Sequence, residues 1–96
     1  MSGDYSIGSG KWPGTSKLIE EMGELAQVLG KLIANNGETK HWDGTNLRER
    51  LIEEIADVDA ALNFFRQNFS TAERVRIIER SSVKLQQFWE WQKKGQ

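Results

Sequence analysis

Apolar residues recur at helical spacing along most of the chain. They fall first at Leu18, Met22, Leu25, Leu29 and Leu32, in alternating four- and three-residue steps, with Ile19, Ala26 and Ile33 widening the stripe. This period predicts a helix through KLIEEMGELAQVLGKLIANN, capped by Thr15 or Ser16 and stopped at Asn36-Gly37, a pair suited to left-handed backbone. A second stripe runs through Leu47, Leu51, Val58, Leu62, Phe65 and Phe69. Asn46, with Glu49 three residues on, gives its helix a capping-box-like start, and the helix is expected to run to about Phe69. Ser70 with Glu73 repeats that signature and opens a third helix from about Thr71 to Lys94. In it Val75, Ile78, Leu85 and Trp89 share a face, while Ile77, Val83, Phe88 and Trp91 spread over the others. A helix apolar on more than one face has more than one neighbour.

The expected class is therefore all-α: three long helices behind an irregular, Gly-rich arm over residues 1–14, with the polar loop GETKHWDGTN between the first two helices. There is no alternating strand pattern and no internal repeat. Three helices are one short of a four-helix bundle, so a homo-oligomer, dimer or tetramer, is expected to complete the core.

Composition narrows the function. Ninety-six residues make one domain, residues 1–96. With 13 basic against 14 acidic side chains, no basic excess argues for polymeric nucleic acid or a membrane surface. The absence of cysteine removes disulfides, thiolate metal sites and thiol nucleophiles. No apolar run approaches the roughly 20 residues of a spanning helix, and MSGDYSIGSG lacks the apolar centre of a signal peptide. A cytoplasmic location is expected.

The chemistry lies in two acidic groups, Glu20, Glu21 and Glu24 in EEMGE and Glu54 with Asp57 in EIAD. Carboxylates three residues apart project from one side of a helix. Glu54 points into the middle of the second stripe. Glu21 lies on the edge of the first stripe, Glu24 just outside it and Glu20 nearly opposite. A carboxylate aimed at a core is costly unless its charge is compensated. If the first two helices pack antiparallel, Glu21 and Glu24 face Glu54 and Asp57, and a divalent cation between them would supply the compensation. Four carboxylates without nitrogen or sulfur donors select Mg²⁺, or Mn²⁺, over Zn²⁺ or copper. Di-iron bundles need Glu-x-x-His, and the sole histidine, His41, is in the loop. Mg²⁺ takes further ligands from substrate phosphates, which points to phosphoanhydride hydrolysis. The alternative is a solvated acidic face with Glu54 paired to Arg50 one turn earlier.

E-E-x-x-E followed by E-x-x-D on the next helix resembles the MazG-like nucleotide pyrophosphohydrolases, within the all-α NTP pyrophosphohydrolase superfamily. The matching text is LIEEMGEL (Leu18 to Leu25) and LIEEIADVDAAL (Leu51 to Leu62), and the similarity runs from about residue 11 to residue 70. The resemblance implies an oligomeric helical bundle that uses Mg²⁺ to cleave a nucleoside triphosphate to the monophosphate and pyrophosphate. It implies Glu21, Glu24, Glu54 and Asp57 as metal ligands, with Glu20 behind them or orienting the attacking water. The loop is long for that family and the motif occurs once, as in the short single-domain members associated with clearing unwanted nucleotides. A dUTPase or a phosphoribosyl-ATP pyrophosphohydrolase carries the same motif. A non-catalytic helical interaction module is an alternative of another class.

The carboxylates address phosphates and carry no information about the base. Trp12 in the arm and Trp42 in the loop are the candidate stacking surfaces, with Trp12 favoured. Lys31, two turns from Glu24 on nearly the same side, is the preferred phosphate-binding cation; Lys17, Arg48, Arg50, Arg66, Arg80 and Lys84 are further candidates.

Overall fold

The structure is a computed structural model and describes residues 3–95. Three helices form, α1 over Thr15–Ala34, α2 over Leu47–Phe65 and α3 over Thr71–Lys93, with a short 3₁₀ turn, Arg66–Asn68, between the last two. Among the described residues the only strand-like feature is a single bridge between Lys40 and Asn46. Among the described residues no helix is long and apolar enough to cross a membrane.

Local chemistry sets the helix ends. The Asn46 side chain accepts from the Arg48 and Glu49 amides at 3.0 and 3.2 Å, opening α2. Ser70 and Glu73 form a reciprocal capping box, with Ser70 N–H donating to Glu73 at 2.9 Å and Glu73 N–H to Ser70 Oγ at 3.1 Å. At the end of α1, Asn36 takes the left-handed conformation with φ 56°. The amides of Gly37 and Asn36 return to the carbonyls of Leu32 and Ile33, which is a Schellman closure. The start of α1 departs from expectation. Its cap is Gly14, at φ 92°, and neither Thr15 nor Ser16 caps through its side chain. Instead the arm folds back, and the Tyr5 carbonyl accepts from the Ser16 amide at 2.9 Å. The α2 helix also ends sooner than Phe69, because residues 66–68 tighten into the 3₁₀ turn and Phe69 is extended.

The described part of the arm is an ordered loop. Asn68 Nδ2 donates to the Pro13 carbonyl at 3.1 Å, tying it to the end of α2. Trp12 stacks on Phe65 with ring centroids 6.1 Å apart and meets Phe69 edge-on at 5.9 Å. These contacts hold Trp12 at φ 47°, a conformation that costs a non-glycine residue about 1–2 kcal/mol.

Helices α1 and α2 pack into a hairpin. The side of α1 that meets α2 carries Leu18, Glu21, Leu25, Val28 and Leu32, whereas Met22 and Leu29, expected at the centre of the stripe, stand at the rim and are exposed with Ile19 and Ile33. The stripe is thus rotated, and it brings Glu21 inward. From α2, Leu47, Glu54 and Ala61 are buried. Helix α3 packs on neither partner and buries no residue. The chain is a slab 15 Å thick with a radius of gyration of 16.6 Å, against about 13 Å for a compact chain of this length.

Gly14 is fixed by conformation and by space. A Cβ built there would lie 2.7 Å from Phe64 Cδ1. Gly14→Ala is expected to lower stability by about 1–2 kcal/mol, the cost of a left-handed alanine, measured by urea unfolding. An unchanged midpoint would contradict this account of the junction between arm and helix.

Candidate metal centre

The antiparallel hairpin aligns the first acidic motif with the second. One carboxylate oxygen from each of Glu21, Glu24, Glu54 and Asp57 falls in a group whose members all lie within 4.8 Å of one another. Glu54 is the most enclosed, at 3% exposure. Its position follows from the α2 period: it sits between Leu51 and Val58 on the side turned to α1. Glu21 is half-buried, Glu24 likewise, and Asp57 stands at the open end.

Partners at the cluster are fewer than its charges. Arg50 Nη2 pairs with Glu54 Oε1 at 2.9 Å, one turn back on α2. Lys17 Nζ lies 3.4 Å from Glu20 Oε2 and 3.9 Å from Glu21 Oε1. The second oxygens of Glu21 and Glu54 are buried and have no hydrogen-bond partner. Four carboxylates set against Arg50, and against a Lys17 shared with Glu20, leave an excess of negative charge that a divalent cation would offset. Burial chiefly pushes the Glu21 carboxyl above the ordinary value of 4.5; Glu24 and Asp57 push the same way, and Lys17 opposes them. Burial also raises Glu54, with Arg50 opposing it and Glu24 and Asp57 adding to the rise. Two orphaned, desolvated carboxylate oxygens and an all-oxygen donor set fit a hard cation such as Mg²⁺ or Mn²⁺. The ion pair to Arg50 shows that the solvated-face alternative holds for part of Glu54 only, since its other oxygen faces neither water nor a donor.

Of the candidate cations, Arg50 and Lys17 thus adjoin the cluster, while Glu20, Trp12, Trp42 and Lys31 make other contacts or face solvent. Glu20 faces solvent and holds Lys17. Trp12 is committed to Phe65 and Phe69. Trp42 is 87% exposed at the tip of the loop, against His41. There hydrogen bonds from the Thr45 hydroxyl and amide hold the Asp43 carboxyl well below the usual range, and His41 Nδ1, 2.9 Å from Asp43 Oδ1, lowers it further. Lys31 is exposed in the last turn of α1, where its charge complements the helix C-terminus. Besides Arg50, the groups that adjoin the acids are Lys17, Ile7 and Phe64. They line a cavity of about 350 Å³ that includes Glu21 and Asp57 in its wall. Lys17 was legible as the cation one turn before Glu21. Ile7 and Phe64 reach the cavity through the fold of the arm, which no local pattern encodes.

No family model, curated protein or solved structure matches the chain.

The raised carboxyls set a pH dependence. Between 4.5 and the raised values the folded chain holds more protons than the unfolded one, so stability without metal falls as pH rises through that window. Glu73, held low by the Ser70 amide and hydroxyl, acts in the opposite sense but only below 4.5. Thermal melts in EDTA are expected to give a higher Tm at about pH 5 than at about pH 8, with the difference reduced in Glu54→Gln. Equal Tm values at the two pH values would show that the cluster is not a site of uncompensated charge.

Proposed function

We propose that the chain is a Mg²⁺-dependent nucleoside triphosphate pyrophosphohydrolase that cleaves a (d)NTP to the monophosphate and pyrophosphate, acting on the nucleotide pool in the cytoplasm. The observation that carries this reading is the convergence of Glu21, Glu24, Glu54 and Asp57 with two unpartnered carboxylate oxygens among them. The spacing of those acids, in the order of the MazG-like motifs, supports it. A bound divalent cation would polarise the phosphate oxygens and lower the pKa of a coordinated water. The four carboxylates would hold that ion. Arg50 fixes Glu54 through one oxygen and leaves the other directed into the cluster. Lys17, beside Glu21 and already drawn to its charge, is placed to meet a phosphate oxygen. Glu20 orients Lys17 from the solvent side.

An assembly belongs to the same proposal. Ile78, Leu85 and Trp89 on α3 are more than half exposed, as are Ile19 and Ile33 on the outward side of α1. Both stripes span fifteen residues at heptad-like spacing, α3 from Val75 to Trp89 and α1 from Ile19 to Ile33. In a homo-oligomer, α3 of one chain covers the outward side of α1 of another and extends the core that the hairpin alone leaves small.

Two outcomes follow. With Mg²⁺, the purified protein should release pyrophosphate from at least one standard or modified (d)NTP, EDTA should abolish it, and Glu54→Gln should lower turnover by at least about 100-fold while leaving the helical circular dichroism intact. A broad panel with no turnover sinks the enzyme reading. Sedimentation at micromolar concentration should show at least a dimer, and Ile78→Glu with Leu85→Glu should give monomers; a monomeric parent chain would refute the assembly.

A further inference from the structure

The cavity of about 350 Å³ beside the acids lies within the range of small-molecule sites. It is two-sided. Glu21 and Asp57, half of the carboxylate cluster, form one wall, and Lys17 stands at the same edge. The other wall is apolar, made by Ile7 from the arm and by Ala60, Ala61 and Phe64 from α2. Ile7 is 49% exposed and Phe64 40%, so two large apolar side chains face an open space beside a charged one. Neither belongs to the hairpin's buried apolar core, which is Val28, Leu47 and Ala61. The arm is fastened in place by Asn68, by the Trp12 stack and by the bond from Ser16 to Tyr5, so the Ile7 wall is built into the fold. Gly14 sits against one edge of the Phe64 ring and keeps that end of the cavity clear of a side chain.

We infer that this cavity is the nucleoside subsite, with Phe64 and Ile7 gripping the base and sugar, and that it is tolerant of base identity. The inference rests on the proposed pyrophosphohydrolase reading, which sets the phosphates at the acids and Lys17. A ligand anchored there has only the apolar wall beside it for its uncharged end. Selectivity follows from what the wall lacks. Among the described residues, no side chain lining the cavity other than Lys17 and the two acids carries a hydrogen-bonding group. Apolar pockets separate similar ligands by about 10²-fold at most, whereas sites that hydrogen-bond their substrate reject the wrong one by about 10⁴-fold or more. The substrate class is therefore nucleoside triphosphates as a group, read by apolar shape and by phosphates, and not one base.

The experiment is equilibrium binding in Mg²⁺ of the four α,β-imido deoxynucleoside triphosphates and of inorganic tripolyphosphate. The wild-type chain should bind each nucleotide at least about 10-fold more tightly than tripolyphosphate, as stacking alone supplies. The four nucleotides should fall within about 100-fold of one another. Phe64→Ala, and separately Ile7→Ala, should bring nucleotide affinity towards that of tripolyphosphate without altering tripolyphosphate binding, with folding checked by circular dichroism. Both residues are substantially exposed, so the fold is expected to survive. Equal binding of nucleotide and tripolyphosphate by the wild type overturns the subsite. So does a nucleotide preference that persists in both variants. A spread among bases above about 1,000-fold overturns the tolerance. Binding that meets these expectations, with no pyrophosphate released from the corresponding hydrolysable (d)NTPs in a parallel assay, would leave the subsite standing and remove the enzymatic reading.

Discussion

Four carboxylates face one another across the α1–α2 seam, and the architecture of the hairpin is organised around that repulsion. Like charges brought together and partly desolvated oppose folding, as the raised Glu21 and Glu54 carboxyls record. A chain with so small a core does not tolerate this without a return. Val28, Leu47 and Ala61 are its only buried apolar residues among those described. Arg50 and Lys17 relieve part of the charge and leave two oxygens without partners. A site that is under-compensated in this way is suited to a divalent cation, because binding removes the penalty at once and couples metal uptake to stability.

The arm and the third helix follow from the same economy of core. The hairpin alone buries little, so the arm adds the Trp12, Phe65 and Phe69 cluster at one end and in doing so builds a wall beside the acids. Helix α3 adds nothing to the hairpin's core and keeps its apolar residues on the surface. An exposed stripe on α3 and a matching one on α1 are the surfaces a second chain would cover, and the 15 Å thickness of the slab is little more than one layer of helices.

Much of this was legible along the chain, for reasons of range. Helix periods and caps are local, so Asn46 and the Ser70–Glu73 box were read correctly. The acid cluster was legible because Glu54 interrupts an apolar stripe and a short loop makes the two helices antiparallel. The centre of the α1 stripe was not. Its apolar residues cover two sides, and periodicity cannot say which side meets α2; the structure turns Glu21 and Val28 inward and leaves Met22 and Leu29 at the rim. The cap on α1 was missed because the Tyr5 carbonyl arrives from eleven residues away. The same non-local folding of the arm commits Trp12 to a structural stack and delivers Ile7 to the cavity in its place.

The central claim is that the cluster between α1 and α2 is a divalent-cation site. Crystals grown with Mn²⁺ and measured at the manganese absorption edge test it most directly. The account predicts an anomalous peak coordinated by oxygens of Glu21, Glu24, Glu54 and Asp57. A fully ordered cluster without a peak at millimolar Mn²⁺, or a peak bound only elsewhere on the chain, would contradict it.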